Sequence, residues 1–322
     1  MKPKYKIIDL FCGAGGFSLG FKLSGRYKHL LAIDNLPAAA KTYKMNFPET
    51  LVLAEDIKDI SGRLIQELVG EDIDVVIGSP PCEPFTGSNP RREKNPLDRL
   101  YKDPIGQLTL HFIRIVSDIK PRVFVMENVP AIMDDGLEKA LRREFRQAGY
   151  SHIYFNVLKA EDYGTPSHRL RVFISNIKIS PPRLGKYITV KEALKGLPPE
   201  GGHLPNHEIP PLSDRKLRRI SRLKWGQALI YYEGAKRRLP NLIRLDPNKI
   251  APTVLGSSRF IHPFYDRFLT VREQARLMGF PDSFVFLGGR DEQYNQVGEA
   301  VPVPLAKAVA LEVARKLDSG DI

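Results

Sequence analysis

A single cysteine, Cys82, stands at the end of Ile77-Gly78-Ser79-Pro80-Pro81-Cys82, directly after the apolar run Ile73-Asp74-Val75-Val76-Ile77. That run reads as a short buried strand rich in β-branched residues. Two prolines fix φ and hold the preceding residues extended, so the chain leaves the strand in a stiff loop that presents a thiol. In an open α/β sheet, the carboxyl ends of parallel strands are where chemistry is placed. The alternative for a lone thiol is an inert core residue, and the rest of the chain has to decide between them.

Three acids stand just past other short apolar runs: Asp34 after His29 to Ile33, Asp56 after Thr50 to Leu53, and Glu127 after Arg122 to Met126. With Cys82 they predict four strands ending on a polar or reactive residue along one sheet edge. Asp34 lies where βαβ nucleoside-binding folds put a carboxylate for ribose hydroxyls, although an aspartate there can also simply cap a helix. Arg169 and Arg171 alternate at strand spacing and are expected to point the same way.

The elements that must position these groups follow from periodicity and breakers. Lys6 to Phe11 reads as the first strand and runs into Cys12-Gly13-Ala14-Gly15-Gly16-Phe17-Ser18, a glycine-rich turn that opens a helix and exposes amides to a ligand. Ser18 occupies the place of the third glycine of a dinucleotide fingerprint, so the turn alone is not specific. Between 89 and 103 the chain is polar and charged and reads as a mobile surface loop. A helix is expected from about Ile105 to Ile119, a second amphipathic one from about Gly136 to Ala148, and a strand pair at His152 to Leu158 and Arg171 to Ser175. Farther on, Thr270 and Glu273 make a capping box, with Gly279 and Pro281 as the stop. A last amphipathic helix ends near Leu317.

The chain has 322 residues, which favours one large domain and one smaller one. From about Ile179 the texture changes to Pro, Gly, Lys and Arg with little regular periodicity. The expected organisation is a catalytic domain over 1–178, a second domain over 179–250, and a return segment over 251–322. Net charge is +12, and residues 177 to 250 hold 16 Lys or Arg against 6 Asp or Glu, a net +10. That concentration points to a polyanion, with nucleic acid foremost; a solvated basic face is the plainer alternative. Trp225, Tyr231 and Tyr232 lie among the basic runs Arg215 to Arg219 and Lys236 to Arg238, a mixture suited to phosphate contact and base stacking. The two cysteines cannot by themselves build a disulfide framework, a structural zinc site or an iron–sulfur site. Nothing resembles a signal peptide or a membrane span, so a soluble, cytoplasmic protein with no membrane partner is expected.

Taken as an ordered set, the glycine turn, the acids after strands two and three, Pro80-Pro81-Cys82, Glu127-Asn128-Val129, the paired arginines, and Gly298-Glu299-Ala300-Val301-Pro302 closely resemble the cytosine-5 DNA methyltransferase family. The resemblance covers about 1 to 176 and 250 to 316, and the gap is where that family carries its variable target recognition domain. It implies a doubly wound, Rossmann-like, mostly parallel α/β sheet of the class I methyltransferase type, with a smaller target recognition domain. It implies S-adenosylmethionine as cofactor, held by Phe11, Gly13, Ala14, Gly15 and Gly16. Asp34 and Asn35 are then expected at the ribose and Asp56 and Ile57 at the adenine. Ser79, Pro80 and Leu108 are expected along the cleft, and Glu299, Ala300 and Val301 toward the amino-acid end. Cys82 resembles the family's nucleophile, Glu127 the residue gripping the cytosine edge, and Arg169 and Arg171 anchors for the flipped nucleotide and the active loop.

The chemistry accounts for these residue types. Cytosine C5 is a poor nucleophile until a soft nucleophile such as a thiolate adds to C6. Glu127 is expected to act in its protonated form near N3, neutralising the charge that addition puts on the ring. After methyl transfer, loss of the C5 proton releases the enzyme by β-elimination. No basic side chain is near Cys82 in sequence, so activation must come from spatial neighbours such as Arg169 or Arg171. A stacked base is out of reach, so the cytosine must be flipped, with the 86 to 103 loop as a closing element. Three positions depart from the family pattern. Ser167 and Glu83 stand where glutamine is usual and Glu299 where asparagine is usual; these bear on loop closure and cofactor affinity. The expected partner is a short duplex DNA sequence, with a cognate restriction endonuclease acting at the same site and a monomeric enzyme. Cytosine-5 methylation of tRNA and a catalytically inactive nucleic-acid-binding homologue are the alternatives.

Overall fold

The computed structural model describes residues 4–134, 136–234, 238–256 and 259–321; Lys236 and Arg237 of the second basic run lie outside them. Seven strands form one sheet: β1 (Tyr5–Leu10), β2 (Tyr27–Ile33), β3 (Leu51–Leu53), β4 (Val75–Gly78), β5 (Val123–Asn128), β6 (Tyr154–Lys159) and β7 (Leu170–Ser175). Their order is β3-β2-β1-β4-β5-β7-β6. Strands β1 to β5 are parallel to one another, and β7 runs antiparallel to both β5 and β6. This is the doubly wound sheet expected from the alternation of short apolar runs with helices. Its order reverses between β1 and β4, where such sheets open a crevice at their carboxyl edge.

The sheet is covered on both faces, and the helices are α1 (Gly16–Leu23), α2 (Pro37–Asn46), α3 (Gly62–Val69), α4 (Pro96–Tyr101), α5 (Leu108–Ile119), α6 (Leu137–Gln147), α7 (Val190–Leu194), α8 (Asp214–Ile220), α9 (Val271–Leu277), α10 (Arg290–Glu299) and α11 (Val303–Ser319). Because side chains alternate along a strand, Ile8, Val76, Phe124 and Met126 face one layer with Phe112 of α5 and Phe145 of α6. Ile7, Val75, Ile77 and Val125 face the other, with Phe17 of α1 and Val309 of α11. The two chain ends therefore share one layer. Their contact is close: a Cβ on Gly20 of α1 would lie 2.3 Å from the Cβ of Ala306 in α11, so only glycine permits this approach.

Local signals set the element ends. Ser61 caps α3 by accepting from Leu64 N–H, and Gly70, at φ 63°, stops it. Thr270 and Glu273 form the expected capping box at α9. The helix expected from Ile105 begins at Leu108 instead. The chain before it is a turn, in which Asp103 accepts from the N–H groups of Ile105 and Gly106 and Gly106 packs against the Arg99 carbonyl. The polar stretch read as a mobile surface loop contains α4, with Leu100 and Arg99 buried and Arg99 donating to the carbonyls of Glu93 and Lys94. The segment after 179 is more regular than its composition suggests. It carries α7, α8 and a separate antiparallel ribbon of β8 (Ala228–Glu233) and β9 (Arg238–Ile243). Capping by Thr189 with Glu192 and by Ser213 were the legible signals for the two helices.

Candidate active site

Cys82 sits four residues beyond the end of β4, beside the crevice. Its carbonyl accepts from Phe85 N–H at 3.0 Å and Thr86 N–H at 2.9 Å, which folds the loop into a turn directly after the thiol. Phe85 is fully buried and anchors that turn. Arg92 Nη1 donates to the Phe85 carbonyl at 2.6 Å, and Asn89 Nδ2 to the Glu83 carbonyl at 3.0 Å. On the other side, Asn128 Nδ2 donates to the Pro80 carbonyl at 3.0 Å, tying the loop to the end of β5. The stiffness read from the two prolines is thus reinforced by contacts from three separate stretches.

Glu127 lies in β5 one residue before that asparagine. Its Oε1 is 2.7 Å from Arg171 Nε, and both side chains are largely buried, at 8% and 12% exposure. Arg169 is buried with Nη1 donating to the Val254 carbonyl at 2.8 Å, while its Nε has no partner among the described residues. Leu170 between them is exposed, so the two arginines share one side of the strand, as their spacing predicts. The Arg171 contact engages one oxygen of Glu127, so meeting the N3 edge of a base requires this pair to loosen as the base enters.

Burial pushes the Cys82 thiol up to about 11; Arg171 and Arg169 pull it down, and Glu83 and Glu127 push it up further. The arginines are therefore the spatial neighbours that favour the thiolate, but burial outweighs them in the ligand-free protein. An unfolded thiol titrates near about 8.5. Between that value and about 11 the folded protein keeps a proton that the unfolded chain has lost, so this group's contribution to stability is present below the lower value and lost as pH rises. Alkylation of Cys82 by iodoacetamide, followed by peptide mass spectrometry, is expected to keep accelerating past pH 10 in the free enzyme. A plateau near pH 9 would contradict it. Cys12 is the internal reference: it is buried, its Sγ donates to the Gly13 carbonyl, and burial raises its thiol well above the ordinary range.

The glycine turn lies across the crevice. Phe11 has φ 59°, an uncommon conformation for a bulky residue, and turns the chain out of β1. Gly13, at φ 52°, has no atom within 4 Å of where a Cβ would sit, so space above the turn is open. Ala14 is buried, and Gly15, at φ 95°, packs against Tyr43 and Phe47. A Cβ on Gly16 would lie 2.7 Å from the Val301 carbonyl and 2.9 Å from the Ala300 Cβ, so the last motif closes directly on the first. Asp34 accepts from Gly13 N–H at 2.7 Å and Leu36 N–H at 3.0 Å, and burial raises its carboxyl. A carboxylate offers about four acceptor positions, so two remain for hydroxyl donors. Asn35 is exposed at the lip.

Other expected contacts are placed less directly. Asp56 caps a short 3₁₀ turn, accepting from Lys58 N–H and pairing with Lys58 Nζ, which hold it below the ordinary carboxylate range. Ile57 is buried, and its carbonyl accepts from Arg114. Ser79 N–H donates to the Leu10 carbonyl at 3.2 Å and extends the β1–β4 pairing, Pro80 is buried, and Leu108 is half-buried at the start of α5. Val301 is buried as packing. Burial pushes the Glu299 carboxyl up to about 7, with Glu83 and Asp34 adding and Arg169 opposing, which puts Glu299 among the charges of the crevice. Sequence reasoning missed a support beneath the turn. Ser18 Oγ donates to Asp9 Oδ2 at 2.6 Å and Tyr43 donates to Ser18 at 2.8 Å, while burial pushes Asp9 up to about 8. An aspartate inside the apolar run of β1 was its only signal.

One crevice thus brings together a thiol, an acid paired to an arginine, and an open glycine turn beside a carboxylate. A family model for C-5 cytosine-specific DNA methylases matches residues 5–315. The chain belongs to this family. A Methanocaldococcus jannaschii protein with the provisional name type II methyltransferase M.MJ0563P is 51% identical over 316 residues, spanning 97% of this chain and 99% of that one. Type II methyltransferase M.DdeI of Desulfomicrobium norvegicum is 33% identical over 376 residues, spanning 96% and 88%. A solved E. coli prophage-encoded protein described as a DNA modification methyltransferase superposes with a TM-score of 0.79 at 28% identity, covering 98% of this chain and all of that one.

The methyltransferase transfers a methyl group from S-adenosylmethionine to C5 of cytosine in DNA. No helix among its described residues is long and apolar enough to cross a membrane. One departure from the family pattern has a structural account: Ser167 is buried and donates to the Leu277 carbonyl at 2.8 Å, fastening the paired-arginine strand to α9.

Proposed function

We propose that Cys82 is the nucleophile that adds to cytosine C6, that Glu127 grips the N3 edge, and that Arg171 couples the two. The observation carrying this reading is the 2.7 Å Arg171–Glu127 pair placed within electrostatic reach of Cys82. One guanidinium then favours the thiolate and orients the carboxyl. When a base enters, N3 competes for Glu127, and the charge released from the pair falls on the Cys82 side of the site. Arg169, whose Nε has no partner among the described residues, offers a further donor to the nucleotide.

S-adenosylmethionine supplies an electrophilic methyl group when bound. The open space over Gly13 and the free acceptor positions of Asp34 fit its nucleoside, with Phe11, Gly15 and Gly16 shaping the turn. Glu299 fits beside its amino-acid end: a carboxyl pushed up to about 7 is neutral in part of the population at neutral pH and stands in for the usual asparagine. Residues 1–178 and 251–322 form the catalytic domain in this reading, and 179–250 delivers the flipped cytosine. The enzyme works as a cytoplasmic monomer on a short duplex sequence, paired with a restriction endonuclease of the same specificity. The type II names of its relatives support that pairing.

A duplex in which 5-fluorocytosine replaces the target cytosine tests the central assignment, because the missing C5 proton blocks β-elimination and leaves the protein bound. With S-adenosylmethionine present, a covalent adduct is expected, and proteolysis should place the nucleotide on the peptide containing Cys82. An adduct on another residue, or none, would refute the nucleophile.

A further inference from the structure

Two departures from the family pattern converge on one place. Glu83, where glutamine is usual, directly follows Cys82, and Glu299, where asparagine is usual, ends α10. The end of α10 is wedged between the two halves of the crevice. On one side, a Cβ on Gly298 would lie 2.2 Å from the Gly256 nitrogen, and one on Gly256 would lie 3.4 Å from Glu299 Oε1. The helix end thus packs on the segment whose Val254 carbonyl holds Arg169. On the other side, Ala300 and Val301 meet Gly16 of the glycine turn, whose Gly13 N–H donates to Asp34. Glu299 therefore stands between the base pocket at Arg169 and the nucleoside turn at Asp34.

Both acids keep open surface in the ligand-free crevice, and neither carboxylate makes a hydrogen bond or an ion pair among the described residues. The charges that act on Glu299 are Glu83 after β4, Asp34 after β2 and Arg169 before β7. Arg171, the second arginine of the pair, is committed to Glu127. Three acids thus surround an open space with one arginine that forms an ion pair with none of them. Like charges held together around a partly desolvated space repel one another, and a cation placed among them relieves that repulsion. The amides usual at positions 83 and 299 could hydrogen-bond a ligand but would carry no charge toward it.

We propose that Glu83 and Glu299 make the crevice discriminate S-adenosylmethionine from its demethylated product, S-adenosylhomocysteine, by the positive charge on sulfur. Methyl transfer forms the bond from cytosine C5 to the methyl carbon and breaks the sulfur–methyl bond, whose electron pair stays on sulfur and turns a sulfonium into a neutral thioether. Adenine, ribose and the amino-acid end are the same in both molecules, so contacts to them hold substrate and product alike. Transfer requires the sulfur to lie between the ribose held at Asp34 and the cytosine held at Cys82, the span that Glu299 and Glu83 flank. The inference deepens the proposed placement of the cofactor and rests on it. Its consequence is easier exchange of product for fresh donor after each transfer.

The test is calorimetric titration of S-adenosylmethionine and of S-adenosylhomocysteine, without DNA, into the wild type, Glu83→Gln, Glu299→Gln and Asp34→Asn. Each glutamine variant should lower the preference for the sulfonium ligand by about three- to tenfold, the Coulomb effect of one charge removed from a partly wet site. The loss should fall on S-adenosylmethionine. In the wild type the preference should grow as pH rises through about 7, where Glu299 ionises. Glu299→Gln should lose that growth, and Glu83→Gln should move it to lower pH, because Glu83 is one of the charges holding the Glu299 carboxyl up. Asp34→Asn should weaken both ligands, since the ribose is common to them. Glutamine variants that keep the wild-type preference, or that shift both affinities equally, would overturn the discrimination while leaving the cofactor's placement intact. Unchanged affinities in Asp34→Asn would refute the placement, and the discrimination with it.

Discussion

Cys82→Ala is expected to lower methyl transfer to duplex DNA by on the order of 10⁴-fold or more, the scale lost when a covalent nucleophile is removed from an otherwise intact site. DNA and cofactor binding should survive. The loop is shaped by main-chain contacts, with the Cys82 carbonyl held by Phe85 and Thr86 and the Pro80 carbonyl by Asn128, none of which uses the sulfur. Stability should change by no more than about 1 kcal/mol, since a small thiol beside a half-open crevice leaves little void. Labelled-methyl incorporation, a gel-shift titration and thermal unfolding on one preparation separate these effects. Turnover within tenfold of wild type would remove Cys82 from the mechanism.

Glu127→Gln is expected to cost about 10²- to 10⁴-fold in turnover, the usual contribution of a positioned acid. Glutamine can still hydrogen-bond a ring nitrogen but cannot give it a proton, so the loss should fall on the chemical step more than on DNA affinity. The same change removes the carboxylate from Arg171. Because the amide oxygen can still accept from Arg171 Nε, the penalty should be about 1–3 kcal/mol rather than that of an abandoned buried charge. A second consequence separates acid catalysis from mere support. With Glu127 neutral, Cys82 loses a neighbouring negative charge, so its alkylation in the free enzyme should quicken while methyl transfer falls. A variant slow in both would mean that Glu127 acts by holding the fold.

Much of the site was legible because its residues occupy strand ends. Asp34, Asp56, Cys82 and Glu127 each follow a short apolar run, and a doubly wound sheet puts such positions on one edge whatever the details of packing. The glycine turn was readable for a similar reason, since Gly13 and Gly15 take backbone conformations that other residues resist. Less visible was whatever depended on strand order. Glu127 meets Arg171 because β7 inserts antiparallel beside β5, pairing Glu127 with Phe173 and Asn128 with Val172, and spacing along the chain carries no information about that insertion. The regular elements after 179 were obscured because α7 and α8 are short and draw their order from caps and from packing on distant residues, which composition does not report.

By itself, the sequence determined which groups are available: one rigidly presented thiol, acids at strand ends, paired arginines, and a concentrated positive charge for a polyanion. Tertiary structure decided their state. The raised Cys82 thiol, the Glu127–Arg171 pair, the raised Glu299 carboxyl and the buried Asp9 all depend on desolvation and on charges brought close from far along the chain. Residue type and spacing are local properties, whereas burial and pairing energies are set by neighbours that only the folded sheet brings together.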